Sequence, residues 1–499
     1  MNYEETLTYI HNTPKFARTL GNDLLRKLLD KLGNPQNELQ FVHLAGTNGK
    51  GSAAIMLSEI LIHSGYRVGL FTSPYIEHFN ERIRINGEVI DDENLAQITT
   101  HIRETIEKNN TPVSEFALDT AIAFEYFKAK KCDIVVLETG LGGRLDATNV
   151  IEQNLASVIM SIGLDHMQYL GETIREITAE KCGIIKNNSH TVVYPIQDND
   201  VIPVISEVCA KQNNSLHIAA IPDIADGNRF KYKGKCYTLG LSGDFQKYNA
   251  ATVLETVGVL REQGYKLPAR AVRDGLKNAF NPARFEKLPC GIILDGAHNL
   301  PAVKALCESL KKLNKPVNLC VAMMEDKDVS GCIEQLASVA KTVTVTEIDM
   351  PRCAKTEKLC AEFTKHGITA VEKKNAAEAV EYLIKITGKR ELACVCGSLY
   401  FAGEVRRQFN HPMPQKPYYV YILRCADNSL YTGIATDVQR RFEEHCGKDG
   451  KGAKYTRSRQ PIEIAAVWKA ENRAAASRLE YQIKQLSKAQ KEELIKRSE

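Results

Sequence analysis

A strand, a glycine-rich turn and a helix follow one another between residues 39 and 65, and this run limits the fold more than any other part of the sequence. The apolar stretch LQFVHLA at 39–45 predicts a buried strand, and SAAIMLSEILIHSG at 52–65 has its apolar residues at helical spacing. The turn between them reads Gly46-Thr47-Asn48-Gly49-Lys50-Gly51-Ser52. A strand that leads through glycines into a helix is typical of α/β proteins whose turn binds phosphate.

The turn has the residues that phosphate binding requires. Glycines let the backbone amides and the helix N-terminus approach phosphate oxygens. Lys50 could reach the β- and γ-phosphates of a nucleotide, and the Ser52 hydroxyl could face a phosphate or a metal ion. The spacing differs from the usual P-loop, because two residues separate Gly46 from Gly49 and Gly51 follows the lysine. The turn therefore predicts a phosphate-binding loop, and a glycine-rich turn without a ligand is the alternative.

The alternation of apolar strands and helices continues along the chain. Further strands are predicted at 67–73, 132–140 and 156–163, and helices near 92–109, 115–130 and 172–186. Beyond residue 285 the pattern restarts, with strands at 290–295, 317–322, 341–346 and 391–396 and helices at 300–313, 328–337, 354–366, 375–387 and 398–409. This pattern predicts parallel sheets covered by helices on both faces.

A proline-rich segment separates the end of the chain from the rest. NHPMPQKP at 410–417 contains three prolines in eight residues, and proline disrupts both helices and central strands. Beyond it the pattern changes to a hairpin, a helix, a strand and a helix, which predicts a small α+β domain. We therefore divide the chain into domains at 1–285 and 286–410, a linker at 411–417 and a domain at 418–499.

Polar side chains follow three of the predicted strands. Ser73 closes one strand, Glu138 ends the run VVLE, and His166 follows SIGLD. Because the carboxyl ends of neighbouring parallel strands meet at one crevice, all three would face a nucleotide if their strands flank the phosphate loop. Mg²⁺ prefers oxygen ligands, so Glu138 is the expected anchor, whereas His166 could be a ligand or a hydrogen-bonding residue. The glycines of TGLGGRLD at 139–146 predict a loop that closes over a substrate, with an ordinary surface loop as the alternative.

Composition narrows the class of protein. Hydrophobic residues are 43% and charged residues 25%, as in globular proteins, and no apolar run approaches the ~18 residues of a membrane span. The start MNYEETLTYI lacks the features of a secretory signal, so we expect a cytoplasmic protein. The 14 cysteines include no Cys-x-x-Cys pair, which favours reduced, mostly buried thiols over zinc ligands or disulfides.

Sequence strings spread over residues 1–410 carry a family resemblance. HLAGTNGKGS resembles the ATP-binding signature of folylpolyglutamate synthases and bifunctional dihydrofolate synthases, and FTSPY followed by ERIRING is similar to the next motif of that family. LETGLGGRLDATN, SIGLDHMQYLG, EITAEKCGIIK, FQKYNAA, NPARFE, LDGAHN and CGSLYFAGEVR follow in the family order. The family belongs to the Mur-ligase group, so the resemblance implies a parallel-sheet P-loop ATPase domain and a smaller Rossmann-like domain, both α/β.

The resemblance implies a role for each matching residue. It implies that the nucleotide is bound by Gly46, Thr47, Asn48, Gly49, Lys50, Gly51, Ser52, Gln246, Asn249, Arg284, Asp295 and His298. It implies that magnesium is coordinated by Ser73, Glu138 and His166, and that Asp146 binds a pterin substrate. Lys181 matches a lysine that is carbamylated in this group. Carbamylated, it could hold a second magnesium, and unmodified it would be a cation beside the phosphates.

The activity implied by the resemblance is ATP-dependent amide ligation. The carboxylate of dihydropteroate or folate would attack the γ-phosphate of ATP, and L-glutamate would displace phosphate from the acyl phosphate. Lys50, Lys181, Arg284 and Mg²⁺ would offset the repulsion between the two anions. We expect a monomer with no membrane association. The alternative substrate is a cell-wall nucleotide precursor, against which Asp146 and the folate-type strings argue.

The positive charge of the chain is concentrated in its last 82 residues. Residues 418–499 contain 16 Lys/Arg and 11 Asp/Glu, a net charge of +5 in a chain whose total is +4. The strands YYVYILRC and SLYTGIA precede a helix on which Arg441 and His445 are four residues apart, and Glu480 lies on a later amphipathic helix. Together with tyrosines, these groups could cleave a phosphodiester, with Glu480 holding a divalent metal.

The order of these residues resembles the GIY-YIG nuclease domain, in its small stand-alone branch. Tyr421, Tyr431, Arg441, His445 and Glu480 take the catalytic positions of that family, although the first motif reads YVY. The resemblance implies DNA as a partner, with phosphate contacts from Lys448, Lys451, Lys454, Arg457 and Arg459. A nucleic-acid-binding module without catalysis is the alternative.

Overall fold

The chain forms two compact units, Met1–His411 and Pro412–Glu499. The computed structural model describes residues 1–15, 21–225, 227–408, 418–447, 454–470 and 473–496. The predicted linker at 411–417 lies outside these described residues. The domain boundaries drawn from the sequence stay predictions.

An eight-stranded sheet forms the centre of the first part of the N-terminal unit. Its strands are β1 Phe41–Ala45, β2 Val68–Phe71, β3 Ile83–Ile85, β4 Glu88–Val89, β5 Ile134–Glu138, β6 Ala156–Ile159, β7 His190–Val193 and β8 Ser215–Ile218. They lie in the order β4-β3-β2-β5-β1-β6-β7-β8. Strands β2, β5, β1 and β6 are parallel, as predicted, and the parallel strands β7 and β8, which were not predicted, extend the sheet. The antiparallel pair β3 and β4 was not predicted, because two or three residues give no clear apolar pattern.

Helices cover both faces of this sheet. They are α1 Tyr3–Asn12, α2 Asp23–Lys31, α3 Lys50–His63, α4 Asp92–Asn109, α5 Glu115–Ala129, α6 Met167–Leu170, α7 Ile174–Cys182, α8 Val201–Lys211, α9 Phe245–Glu262 and α10 Ala269–Asn278. Val42 and Leu44 pack in a cluster with α3 and α9, whereas Phe41 packs against Phe124 of α5 on the opposite face. Alternate side chains of β1 thus enter two apolar cores, which explains its uninterrupted apolar sequence.

Two of the predicted helices have different bounds in the structure, and residues at their ends explain the difference. Helix α3 begins at Lys50, directly after Gly49, rather than at the predicted residue 52. Helix α7 is shorter than the predicted 172–186, because Thr173 and Glu176 form a capping box at its start and Gly183 follows its last residue. A small antiparallel sheet of β9 Asp223–Ile224, β10 Arg229–Tyr232 and β11 Lys235–Thr238 was not predicted.

A second sheet forms the later part of the N-terminal unit. Its strands are β12 Glu286–Lys287, β13 Ile292–Leu294, β14 Val317–Val321, β15 Ala340–Thr346, β16 Val371–Lys373 and β17 Leu392–Cys396, in the order β12-β13-β17-β14-β15-β16. Only β12 is antiparallel to its neighbour among these strands. The five predicted helices are present as α11 Leu300–Lys312, α12 Val329–Ala337, α13 Thr356–Lys365, α14 Ala376–Ile386 and α15 Leu399–Gln408. This half has the predicted α/β architecture.

The C-terminal unit contains a three-stranded antiparallel sheet and helices. The strands β18 Tyr418–Cys425, β19 Leu430–Ala435 and β20 Pro461–Ala470 lie in the order β19-β18-β20. The helices are α16 Val438–Cys446, α17 Lys454–Arg457, α18 Arg473–Gln485 and α19 Lys488–Lys496. Val420 and Ile422 pack with Ile483 of α18, whereas Tyr421 lies in a separate cluster with Phe442 of α16. Strand alternation therefore directs Tyr421 toward α16.

The surroundings of the cysteines match the prediction from composition. Ten of the 14 cysteines are buried, as predicted for thiols that act as small apolar side chains. In the described ranges, no helix combines the length and the apolar character needed to cross a bilayer.

Candidate active site

The glycine-rich turn is packed so closely that two of its glycines have no room for a side chain. Gly46 has φ +155°, and a Cβ there would lie 2.7 Å from Cβ of Met160. Gly49 has φ +88°, and a Cβ there would lie 2.5 Å from Oδ1 of Asn249. The turn thus requires glycine at both positions, and it leads directly from β1 into α3.

Two lysines converge on one carbonyl of the turn. Lys50 Nζ donates a hydrogen bond of 3.0 Å to the Gly46 oxygen, and Lys181 Nζ donates one of 3.0 Å to the same oxygen. Burial and, to a smaller extent, the nearby charge of Lys50 lower the pKa of Lys181 to about 7. The two amines place positive charge at the turn, where an anionic ligand is expected.

Buried amides hold the hydroxyl at the end of the turn. Gln246 Nε2 and Asn281 Nδ2 each donate a 3.1 Å hydrogen bond to Ser52 Oγ. Asn249 Nδ2 donates to Gln246 Oε1 at 2.9 Å. Gln246 is fully buried and contacts the turn from the protein interior, whereas Asn249 lines the cavity that the turn faces. Asn281 is the first residue of the NPARFE string, in which only Arg284 was assigned a role from the sequence.

The three polar strand ends meet the turn at one cavity of about 240 Å³. Its lining contains the whole turn from Gly46 to Ser52, together with Ser73, Glu138, His166, Lys181, Arg284, Asp295 and His298. The Ser73 amide donates a 3.1 Å hydrogen bond to Glu138 Oε2. Burial raises the pKa of Glu138, against the lowering effect of Lys50.

Ser73, Glu138 and His166 form a donor set that suits magnesium. They offer a hydroxyl, a carboxylate and an imidazole on the wall of one cavity. Within the described residues, no three His, Cys, Asp or Glu side chains come close enough to enclose a metal by themselves. Mg²⁺ usually takes one or two carboxylates and fills its shell with water and phosphate oxygens. These residues could therefore supply some of the ligands of a magnesium ion, and a bound phosphate could supply others.

The second half of the unit supplies the opposite wall of this cavity. Asp295 accepts hydrogen bonds from the amides of Phe285 at 2.7 Å and Ala297 at 2.8 Å. Burial raises the pKa of Asp295, and the charge of Arg284 opposes that effect. His298 Nδ1 donates to the Gly296 oxygen at 2.8 Å, and burial lowers its pKa to about 4. His298 is therefore neutral at pH 7 and presents Nε2 as an acceptor.

A hydrogen-bond network that the sequence analysis missed joins the two halves. Asn48 Nδ2 donates to Asn299 Oδ1 at 3.1 Å, and Asn299 Nδ2 donates back to Asn48 Oδ1 at 3.2 Å. Asn299 Nδ2 also donates to Asp165 Oδ2 at 2.7 Å. These residues are separated by more than 100 positions in the sequence, so no local pattern could have revealed the network.

A larger cavity of about 590 Å³ adjoins the first. Its wall includes apolar side chains of Leu24, Leu25, Val113, Phe116 and Ala117 and the cations Arg82, Lys327 and Arg352. Asp146 also lines it and accepts hydrogen bonds from Leu141 N at 2.8 Å, Thr148 N at 3.0 Å and Thr148 Oγ1 at 2.5 Å. Asp146 thus ties together the loop at 140–148 that forms part of the cavity wall.

The C-terminal unit brings four of its predicted site residues together. Tyr421 Oη and His445 Nε2 lie 3.0 Å apart, and the Tyr431 and His445 rings meet edge to face at 5.0 Å. Arg441 hydrogen-bonds Tyr421 and also donates to Glu444 at 2.5 Å. Gly433 is required here, because a Cβ at that position would lie 2.5 Å from Tyr421 Oη. The YVY and YTG strings therefore build one site.

Glu480 and Arg459 lie near the same cluster: the charge of Glu480 raises the pKa of Tyr421, and the Tyr455 ring beside Arg459 stacks on Tyr431. Glu480 pairs with Lys484 at 2.8 Å. Arg459 lies 4.6 Å above the Tyr455 ring and pairs with Asp427 at 3.0 Å. Lys448 and Lys451 lie outside the described residues, and Lys454 and Arg457 belong to α17.

Three family models match the chain. The Mur ligase middle domain matches residues 44–257, and the domain described as Mur ligase, glutamate ligase domain, matches residues 283–399. The GIY-YIG catalytic domain matches residues 417–493. Together with the parallel sheets and the cavity at the glycine-rich turn, these matches define an ATP-dependent ligase of the Mur type joined to a GIY-YIG domain.

Curated relatives and solved structures identify the family. The dihydrofolate synthase/folylpolyglutamate synthase of Bacillus subtilis is 34% identical over 432 residues, which are 81% of this chain and 99% of the relative. The folylpolyglutamate synthase of Lacticaseibacillus casei is 35% identical over 70% of this chain and 86% of its own length. The structure of E. coli FolC in complex with DHPP and ADP has a TM-score of 0.74 at 27% identity, and the match covers 82% of this chain and 98% of that structure. The chain belongs to the dihydrofolate synthase/folylpolyglutamate synthase family.

Proposed function

We propose that the N-terminal unit uses ATP and Mg²⁺ to join L-glutamate to dihydropteroate, to folates, or to both. The observation that carries this proposal is the junction of its two cavities. Residues that line both are Ser73, Pro74, Gly140, Leu141, Gly142, His166, Leu170, His298 and Leu399. A carboxylate bound in the larger cavity could therefore meet a triphosphate bound at the glycine-rich turn.

The lining of the larger cavity suits the proposed substrates. Phe116 and the leucines around it offer an apolar surface for an aromatic ring system. Arg82, Lys327 and Arg352 offer positive charge for the carboxylates of glutamate. A related structure from Yersinia pestis, a bifunctional folylpolyglutamate synthase/dihydrofolate synthase complexed with AMPPNP and Mn ion, has a TM-score of 0.74 at 26% identity and covers 82% of this chain and 98% of its own. This likeness supports a nucleotide and a divalent metal at the turn.

The proposed reaction has two steps. The pteridine substrate's carboxylate oxygen attacks the γ-phosphorus of ATP, ADP leaves, and an acyl phosphate forms. The unprotonated amine of glutamate then attacks the acyl carbon, phosphate leaves with the electron pair of the broken bond, the nitrogen gives up one proton to the phosphate or to solvent, and an amide remains. Both steps bring negative groups together, so fixed positive charge at the phosphates lowers the barrier.

The residues at the turn have defined tasks in this scheme. Lys50 and Arg284 supply positive charge to the phosphates, as Lys181 does while its amine is protonated, and the amides of Gly46–Ser52 bind phosphate oxygens. Ser73, Glu138 and His166 would hold Mg²⁺, which neutralises phosphate charge when bound. The lowered pKa of Lys181, about 7 and caused mainly by burial, leaves part of the amine neutral at neutral pH. The neutral amine is the form that reacts with CO₂ to give the carbamate.

Phosphate release from ATP tests the ligase proposal. The purified chain is mixed with ATP, Mg²⁺ and L-glutamate, and dihydropteroate or tetrahydrofolate is added as the acceptor in separate reactions. We expect release with at least one acceptor and none when glutamate is omitted. Absence of release with both acceptors would refute the folate assignment and favour another carboxylate substrate, such as a cell-wall nucleotide precursor.

We also propose that the C-terminal unit cleaves DNA with a divalent metal. The observation in favour is the cluster of Tyr421, His445, Arg441 and Tyr431. Glu480→Ala should abolish Mg²⁺-dependent cleavage of a supercoiled plasmid, while Glu463→Ala on the same unit should retain it. Cleavage that persists in Glu480→Ala would contradict the metal assignment, and plasmid binding without cleavage by the unaltered chain would favour a binding module. A monomeric state and a cytoplasmic location stay predictions.

A further inference from the structure

Three buried side chains form a continuous hydrogen-bonded row in the C-terminal unit. Tyr421 Oη lies 3.0 Å from His445 Nε2, and His445 Nδ1 lies 2.7 Å from Thr456 Oγ1. The exposed fractions of the three residues are 1%, 3% and 2%. They come from three elements, β18, α16 and α17, so the row exists only in the folded unit.

The neighbours of the row favour one direction for its hydrogen bonds. Arg441 hydrogen-bonds Tyr421 and can only donate, so the Tyr421 oxygen is an acceptor on that side. The single phenol proton of Tyr421 is then available to His445 Nε2. Burial, together with the charge of Arg441 and against the opposing effect of Glu444, lowers the pKa of His445 to about 4. The imidazole is therefore neutral at pH 7 and carries one proton.

We propose that Thr456 is a positioning residue that holds His445 in the tautomer with the proton on Nδ1. The Thr456 hydroxyl accepts that proton's hydrogen bond, and Nε2 is left to accept from Tyr421. The Tyr421 oxygen then remains an acceptor on the side of Arg441. The role in cleavage rests on the proposed nuclease function, whereas the tautomer is a property of the folded chain alone.

The tautomer can be measured without any activity. The full chain is labelled with ¹⁵N-histidine, the signals of His445 are assigned by comparison with His445→Gln, and the ¹⁵N shifts identify the protonated nitrogen at pH 7. We expect the proton on Nδ1. A proton on Nε2 would overturn the proposal whatever the chain does to DNA.

Two substitutions of Thr456 distinguish the effect of its hydroxyl from the effect of its side-chain shape, because valine keeps the shape and serine keeps the hydroxyl. Thr456→Val should move the proton to Nε2 and slow Mg²⁺-dependent plasmid cleavage at least ~10-fold, whereas Thr456→Ser should restore both properties. Thr432→Val is the matched control, because Thr432 is 3% exposed in the same unit and its hydroxyl has no hydrogen-bond partner among the described residues. We expect its tautomer and cleavage rate to match those of the unaltered chain.

The outcomes distinguish the two proposals. A Val variant that keeps the proton on Nδ1, or a Ser variant that behaves like the Val variant, contradicts the positioning role of Thr456. Should the Val variant fail to fold, the tautomer of the unaltered chain and the Ser variant still decide. An unaltered chain that shows the expected tautomer but cuts no DNA contradicts the nuclease function and leaves the assignment of Thr456 supported.

Discussion

Lys327 donates a hydrogen bond of 2.7 Å to Asp165, and the two side chains are only 10% and 9% exposed. Asp165 follows β6 of the first sheet, and Lys327 follows β14 of the second. The pair therefore connects the two halves of the ligase directly beside His166, whose Nε2 lies 3.4 Å from the same ammonium. This largely buried ion pair is one of the contacts that hold the two halves together at the cavity wall.

Removing one partner of this pair should destabilise the N-terminal unit. Lys327→Leu leaves Asp165 buried without its cation, and we expect a loss of about 3–5 kcal/mol in the free energy of unfolding. Urea unfolding followed by circular dichroism measures this loss. The control is Lys355→Leu, which removes a 73% exposed lysine from an ion pair with Glu347 and should cost less than about 1 kcal/mol. Equal losses in the two variants would show that Lys327–Asp165 is no more important than a surface pair.

Loss of charge at Glu138 should affect catalysis far more than folding. Glu138→Gln keeps an oxygen that can accept from the Ser73 amide but removes the carboxylate proposed to hold Mg²⁺. We expect the ligation rate to fall at least ~10²-fold, as we do for Lys50→Ala at the phosphates. Glutamate-dependent phosphate release measures the rate, with Glu357→Gln on the exposed side of α13 as the control. A decrease below tenfold in either variant would argue strongly against the assigned site.

Asp146 should influence the pteridine substrate more than ATP. Both of its carboxylate oxygens accept hydrogen bonds from the loop at 140–148, and an amide at this position would leave one donor without a partner. An unsatisfied buried donor costs about 1–3 kcal/mol, so Asp146→Asn should raise the KM for the acceptor roughly tenfold. Steady-state kinetics with each substrate varied in turn measures both KM values. An equal rise in the KM for ATP would mean that the loop serves the nucleotide as well.

Asp119 should make the stability of the N-terminal unit depend on pH. Burial raises its pKa from 3.8 to about 7, although Arg82 Nε lies 3.6 Å away. Between these two pH values the folded chain binds a proton that the unfolded chain has released, so stability falls as the pH rises. The expected contribution of Asp119 to this fall is roughly 2–4 kcal/mol, and Asp119→Asn should remove that contribution. Urea unfolding from pH 4 to pH 8 checks this, and parallel curves for the two chains would contradict it.

Residues adjacent in the sequence were the easiest to predict. The phosphate loop, the strands before and after it and most helices follow from local patterns, because burial on both faces of a sheet imposes an apolar run on each strand. Short edge strands such as β4 and β16 gave no such pattern, since two or three residues cannot show a periodicity. Tyr421, Arg441 and His445 were named from their order, but the hydrogen bonds among them required the fold.

The sequence by itself determined the class of enzyme, because the order of its motifs and the glycines of the turn at 46–52 are properties of the chain as a string. Only the tertiary structure decided which side chains that are distant in the sequence form hydrogen bonds. These pairs are Asn48 with Asn299, Asp165 with Lys327, and His445 with Thr456. Such pairs form where separate elements pack together. The direction of a hydrogen bond and the shift of a pKa both depend on burial and neighbouring charge, and neither can be seen in the order of residues along the chain.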